Sequence, residues 1–361
     1  SPTIETLTCH FIYSCTGYYR YDKGYTPDFP GVEQFKGQFI HPQLWPEELD
    51  YSDKRIVIIG SGATAVTLVP AMAKTAKHVT MLQRSPTYVV ARPAVDSLSQ
   101  KFRRWFPEQF AYDLTRWKNV TMQAFIFQLS RRFPDKVRAL LRKMTHQWMG
   151  DDYDIDTHFN PRYNPWDQRL CLVPDGDLFR ALRKGTASIV TDHIEHFTEQ
   201  GIQLKSGAVL DADIVVSATG LELLILGGIQ LTVDSQPVKI ADSLVYKGMM
   251  FSGIPNLALA AGYTNASWTL KCDLTSQYVC RLLAYMDKHN YKYCMATNSD
   301  PSVQRTQFLD LASGYIDRAV DQFPKQGNKA PWRLYQNYLL DIITLRVRSL
   351  RDRALTFYRT E

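Results

Sequence analysis

The feature that most limits how this chain folds is Gly60-Ser61-Gly62-Ala63-Thr64-Ala65, set directly behind the apolar run Lys54-Arg55-Ile56-Val57-Ile58-Ile59. A short run of β-branched residues without polar alternation predicts a strand buried on both faces of a parallel sheet. Behind it, the spacing of Gly60, Gly62 and Ala65 predicts a tight turn into a helix. Gly60 permits the turn, Gly62 lets the backbone approach a pyrophosphate, and Ala65 lets helix and strand pack closely. Val66, Val69, Met72 and Ala73 give that helix one apolar face, and His78-Val79-Thr80-Met81-Leu82 supplies a second strand. Free N–H groups and partial positive charge at the helix start favour phosphate. Residues Gly60, Ser61, Gly62, Ala63, Thr64 and Ala65 are therefore the expected nucleotide cradle.

The end of the second strand selects the nucleotide. An acid about 20 residues beyond the glycines binds the ribose 2′-hydroxyl of NAD, but here the chain reads Leu82-Gln83-Arg84-Ser85. Arg84 offers a planar guanidinium to adenine and to a 2′-phosphate, and Ser85 adds a hydroxyl donor. The expected ligand is NADPH. A net charge of +6 suits such an anion, whereas no basic tract interleaved with aromatics is regular enough for nucleic acid. The cysteines Cys9, Cys15, Cys171, Cys272, Cys280 and Cys294 form no C-x-x-C pair and no metal spacing. That excludes a dithiol reductase and a cysteine metal centre and points to free thiols in a reducing cytoplasm. No apolar stretch reaches the roughly 18–20 residues that span a bilayer, and no signal-peptide pattern opens the chain.

With 361 residues there is room for two domains. His10–Ser14 reads as a strand ended by Cys15-Thr16-Gly17, and Asp213–Ser217 as one ended by Ala218-Thr219-Gly220. These similar strand ends bracket the nucleotide unit and mark crossings to a second domain, with Thr219 and Gly220 among the expected cofactor-binding positions. Expected boundaries are 1–18, a linker over 19–52, the NADPH domain over 53–220 with a helical insertion over about 97–160, and 221–361. In the insertion, Trp105, Phe106, Phe110, Leu114, Trp117, Phe125, Phe127, Leu129, Leu140, Leu141 and Met144 are expected to form a buried face, with basic residues covering the rest; a membrane-facing or partner-facing amphipathic surface is the alternative. Residues 151–175 read as a long irregular loop, a kind often functional in compact domains. Short strands are expected at 188–190, 201–204 and 257–260, with helices at 273–289 and near 333–356. The chain opens Ser1-Pro2-Thr3 with a strand soon after, which reads as a fragment or a trimmed product.

The most specific stretch is Phe35-Lys36-Gly37-Gln38-Phe39-Ile40-His41-Pro42-Gln43-Leu44-Trp45-Pro46-Glu47, which fits F-x-G-x-x-x-H-x-x-x-W-P-[DE] at every fixed position. That pattern is the fingerprint of type I Baeyer–Villiger monooxygenases and lies where that family has it, just before the NADPH unit. The chain resembles the family over its whole length. It is most similar to the branch holding the mycobacterial ethionamide-activating monooxygenase, through Ser14–Asp22, Gly60–Met72, Gln83–Tyr88, Trp166–Phe179 and Gly262–Asp273. Two roles stay open for His41: a backbone-bonded linker residue that keeps two domains in register, or direct proton transfer. Trp45 reads as an aromatic anchor.

The resemblance implies an α/β fold of the two-dinucleotide-binding flavoprotein type, with a Rossmann-like NADPH domain inserted into an FAD domain. It implies an FAD- and NADPH-dependent monooxygenase that inserts one oxygen of O2 into ketones to give esters or lactones, and that also oxygenates thioethers. The flavin carries the hard chemistry while protein groups position and charge-stabilise it. In the family, an arginine matching Arg169 of Pro165-Trp166-Asp167-Gln168-Arg169-Leu170 sits over the flavin and stabilises negative charge, which needs a permanent cation in a dry site. Gln168 stands where many ketone-oxidising relatives carry Lys near the nicotinamide ribose. Two alternatives are a flavin-containing S- or N-oxygenase, against which Trp45-Pro46-Glu47 stands, and a non-catalytic NADPH-binding remnant. The family also begins with a first glycine-rich unit for FAD and a substrate-side acid, and no such strand precedes Cys15. The expectation is therefore an incomplete FAD domain, with weak flavin binding and slow turnover by this chain alone.

Overall fold

The computed structural model describes residues 4–168, 170–309 and 314–359. The chain forms two compact units, one of residues 21–221 and one of residues 1–20 with 222–361.

The first unit is built on a five-stranded sheet in the order Gln38–Ile40, Ile214–Ser217, Arg55–Ile59, His78–Gln83, Ala187–Thr191. Every neighbouring pair is parallel. Alternation along the Arg55–Ile59 strand feeds two cores: Ile56 and Ile58 face one cluster, Val57 and Ile59 another. A strand with both faces covered needs apolar residues at successive positions, as the sequence has. Helix α1, Ala63–Met72, covers the first face with Val66, Val69 and Met72, all buried. Each such side chain contributes about 1.5–3 kcal/mol relative to exposure. Over the second face, Phe29, Phe35 and Phe39 surround Phe197 at ring distances of 5.5, 5.9 and 5.9 Å. Phe197 belongs to an antiparallel sheet of Ile194–Thr198, Gly201–Leu204 and Val209–Asp211.

The insertion folds as α2 (Ser97–Trp105), α3 (Glu108–Arg132) and α4 (Pro134–Met149). Asp96 caps α2 by accepting from the Leu98 and Ser99 amides, both at 3.1 Å. Bonds from Lys118 and Ser99 hold its carboxyl well below the usual range. The expected buried aromatic face does not form. Trp105, Phe106, Phe110, Trp117, Phe125 and Leu129 are exposed, and Leu114 and Phe127 half-buried. The buried positions of α3 are Ala111, Val120 and Ser130, while Phe110, Trp117 and Phe125 stay outside. Residues 151–175 are also more regular than expected. Asp154 caps a helix over Ile155–Phe159, accepting from the Thr157 amide at 3.0 Å. Cys171–Pro174, which alternates buried and exposed, pairs in parallel with Val89–Arg92.

In the second unit, Ile12–Ser14 pairs in parallel with Leu257–Leu259, and Met250–Phe251 and Val245–Tyr246 extend that sheet antiparallel. The helix expected at 273–289 runs over Trp268–Lys288 and buries Leu274, Tyr278, Leu282 and Met286 at spacings of four. The helix expected near 333–356 is confined to Tyr338–Ile342 and one wider turn, Ile343–Val347. Beyond it, Leu355–Tyr358 pairs antiparallel with Tyr293–Ala296. The mixed aromatic and β-branched run Leu355-Thr356-Phe357-Tyr358 favours a strand, and pairing overrides the helical spacing upstream. Among the described residues no helix is long and apolar enough to cross a membrane, and no cluster could hold a metal ion.

Candidate nucleotide site and the linker that frames it

The turn between the first two strands treats its two glycines differently. Gly60 has φ +134°, and its amide donates to the Leu82 carbonyl at 2.8 Å. A Cβ there would stand 2.4 Å from the Ala218 carbonyl oxygen, so the fold itself requires glycine. Gly62 is extended, at φ −79° and ψ −175°, and a Cβ on it would meet nothing within 4 Å. No protein atom therefore demands glycine at 62; the open space in front of it is what a ligand needs. Gly62 caps α1 without a side-chain bond, and the first helical bond runs from the Val66 amide to the Gly62 carbonyl at 3.1 Å. The amides of Ala63, Thr64 and Ala65 precede it, at the positive end of the helix dipole. Ala65 is fully buried against the sheet. Ser61 Oγ donates to the Ser85 carbonyl at 3.1 Å, joining the turn to the end of the second strand, where Arg84 and Ser85 are exposed. Open space at Gly62, the amides at the start of α1 and an exposed guanidinium suit a nucleotide carrying a 2′-phosphate.

The residues of the linker fingerprint pack onto the edge of this same sheet. Phe35 packs edge-on against Phe197. Gly37 lies where a Cβ would stand 2.5 Å from the Asp213 carbonyl. Trp45 packs against the cluster of Ile40, Ile56 and Ile58. Both ring nitrogens of His41 are engaged. Nδ1 accepts from the Gln43 amide at 3.2 Å, so Nε2 carries the proton and donates to the Gly220 carbonyl at 3.0 Å. Gly220 also accepts from the Tyr25 amide at 3.2 Å, while Thr219 Oγ1 donates to the Tyr25 carbonyl at 2.7 Å. The echo between the two strand ends is physical: Ser217 and Thr219 share a hydroxyl bond of 2.8 Å, and Ser14 and Thr16 one of 3.0 Å.

A sequence profile of flavin-binding monooxygenase-like proteins matches residues 8–225. The FAD-containing monooxygenase EthA of Mycobacterium tuberculosis is 52% identical over 356 residues, covering 98% of this chain and 73% of that protein. The chain belongs to the flavin-binding monooxygenase-like family. The probable FAD-binding monooxygenase AlmA of Acinetobacter baylyi is 54% identical over 355 residues, with 98% and 71% covered. Among solved structures, an oxidized steroid monooxygenase bound to NADP superposes with a TM-score of 0.70 at 19% identity, over 97% of this chain and 75% of its own. The FAD-bound form of OTEMO gives 0.63 at 21% identity, over 82% of this chain and 64% of its own. The fold is thus that of the two-dinucleotide flavoprotein monooxygenases.

In the loop that the family resemblance points to, Arg169 lies outside the described residues. Its neighbours are tied down. Asp167 pairs with Arg131 at 2.7 Å and accepts from the Asn164 amide at 3.1 Å. Trp166, at φ +71°, meets Phe127 edge-on at 5.7 Å. Gln168 is half-buried and bridges Pro165 through the backbone.

Sequence reasoning missed a cavity of about 760 Å3 in the second unit, lined among others by Lys247, Lys271, Trp332, Asp341, Arg348 and Asp352. Lys271 pairs with Asp341 at 2.8 Å and Lys247 with Asp352 at 3.0 Å. Burial pushes both ammonium groups down, and the carboxylates pull them back up. Burial works to raise Asp352, but Tyr246 and Lys247 bring its carboxyl below the usual range. The Tyr246 and Tyr263 hydroxyls each donate to one of these carboxylates at 2.6 Å, and burial raises both phenols far above their ordinary value. Both lysines of the wall are ion-paired. Charges 70 and 105 residues apart in sequence, at Lys271–Asp341 and Lys247–Asp352, leave no periodic signal to find.

Proposed function

We propose that this flavin monooxygenase is of the Baeyer–Villiger type, using NADPH and FAD to insert one oxygen of O2 into a small ketone and giving an ester or lactone. One ketone, one O2, one NADPH and one proton become one ester, one NADP+ and one water. The observation that carries the reading is the complete fingerprint Phe35–Glu47, whose Phe35, His41 and Trp45 are all committed to fixed contacts.

NADPH supplies the hydride and FAD the oxygen-activating ring when they are bound. On this chain's side, the amides at the start of α1 hold the pyrophosphate, Gly62 leaves it room, and Arg84 with Ser85 take the 2′-phosphate. Gln168 would contact the nicotinamide ribose, and Arg169 would supply a permanent cation to negative charge on the flavin. His41 is a positioning residue: with both nitrogens bonded to backbone, it fixes the linker against Gly220. For the flavin's adenine half, no glycine-rich turn leads directly from strand to helix among the described residues of the second unit, and these residues do not fit that half.

Product analysis decides the chemistry. With FAD in excess, NADPH and air, cyclohexanone is expected to yield the seven-membered lactone slowly, with methyl phenyl sulfide tested alongside for sulfoxide, both followed by gas chromatography. Sulfoxide with no lactone would replace this reading by S-oxygenation.

A further inference from the structure

The rings left uncovered by the helical insertion lie among its basic residues. Residues 97–149 hold eleven Lys and Arg against three Asp and Glu, an excess of eight, while the whole chain has an excess of six. The positive charge of the protein is thus concentrated in the insertion, and its first half, residues 97–120, carries Lys101, Arg103, Arg104, Arg116 and Lys118 against Glu108 and Asp113, with Lys118 paired to Asp96. On α2, Leu98, Lys101 and Trp105 repeat at spacings of three and four, share one face and are all exposed, with Arg104 alongside. On α3, Phe110, Trp117 and Phe125 repeat at seven and eight and share another exposed face. Phe102, Phe106 and Phe110 carry the apolar surface across the turn between the helices, at ring distances of 6.5 and 5.2 Å. Trp105 is 66% exposed and Phe125 63%. Single exposed rings are ordinary, but exposed rings gathered on two adjoining helices beside lysine and arginine mark a partner.

Charge selects the partner. A second copy meeting this patch about a two-fold axis would set one excess of positive charge against another, which costs binding. A bilayer with anionic headgroups satisfies both chemistries at once. Trp and Phe rings sit at the headgroup level, and Lys and Arg face phosphates. With no helix able to cross a membrane among the described residues, contact is peripheral. We propose that α2 and the first half of α3 dock this protein on the surface of an anionic lipid bilayer through Leu98, Trp105, Phe110 and Trp117, with Lys101 and Arg104 as the electrostatic contacts.

The test is co-sedimentation with vesicles of phosphatidylcholine and phosphatidylglycerol in equal parts, against vesicles of phosphatidylcholine alone. The protein is expected to sediment with the mixed vesicles and to be released by salt. Trp105→Ala/Phe110→Ala should lower partitioning about tenfold or more, and Lys101→Glu/Arg104→Glu should lower it similarly on mixed vesicles only. Both variants change exposed side chains remote in sequence from the nucleotide turn, so circular dichroism and NADP+ affinity should match the parent. Equal binding to both vesicle types would overturn the proposal. So would no binding to either, or concentration-dependent oligomers of the parent that Trp105→Ala/Phe110→Ala dissolves, since the patch would then be a subunit contact.

Discussion

Gly60→Ala is expected to destabilise the nucleotide-binding unit and to abolish NADPH binding together. At φ +134° an alanine is strained whatever the space, which costs about 1–3 kcal/mol. Its methyl would also sit 2.4 Å from the Ala218 carbonyl oxygen, a backbone atom in the segment that closes the neighbouring strand Ile214–Ser217. Relief of that overlap has to move one strand end relative to the other, and overpacking of this kind adds about 1–3 kcal/mol. The amide bond from Gly60 to Leu82 would be strained in the same motion. Urea unfolding should show a lower midpoint with an unchanged slope. A variant as stable as the parent would show that the turn is not held as described.

The second large effect is expected at Asp341. Lys271 and Asp341 keep 5% and 13% of their side-chain surface, and Asp341 also accepts from the Tyr263 hydroxyl at 2.6 Å. Asp341→Asn keeps an acceptor for Tyr263 but leaves the Lys271 charge uncompensated in a site where burial already disfavours it. Breaking one side of such a pair costs about 3–5 kcal/mol. Adding Lys271→Met removes the stranded charge, so the double variant should recover most of the loss. Chemical denaturation of the three proteins checks this, and a single variant within about 1 kcal/mol of the parent would mean that the pair carries no buried charge.

What was legible in the sequence is what local pattern determines. The strand Arg55–Ile59, the glycine turn, the face of α1 and the strand end at Arg84 all follow from short-range spacing, and each was read from residues a few positions apart. The insertion shows the limit of such reading. Its helices were evident from composition, but whether Trp105 or Phe125 is covered depends on which neighbours approach, and both are bare while α3 buries Ala111, Val120 and Ser130. The C-terminal segment failed for a related reason: Leu355–Tyr358 becomes a strand only because Tyr293–Ala296 offers it a partner some 60 residues earlier. The ion-paired cavity had no sequence signature, since its charges come together through tertiary folding alone. At His41 the sequence left two roles open, and the bonds to Gln43 and Gly220 favour the positioning role.

The central claim is that the opening at Gly62, rather than the turn as a whole, receives the pyrophosphate of NADPH, and Gly62→Ala separates the two. Residue 62 is extended with φ −79° and has nothing within 4 Å of a Cβ, so alanine should leave stability equal or raise it by about 0.4–1 kcal/mol. The methyl would nevertheless stand where the phosphate approaches, and losing charge-assisted bonds worth about 1.5–3 kcal/mol would weaken NADP+ binding about 10- to 100-fold. Calorimetric titration of NADP+ into the parent and Gly62→Ala, with melting followed on the same samples, is the direct measurement. Equal or higher melting temperature with affinity lost in that range is the result predicted. Unchanged affinity in a stably folded Gly62→Ala protein would contradict the account.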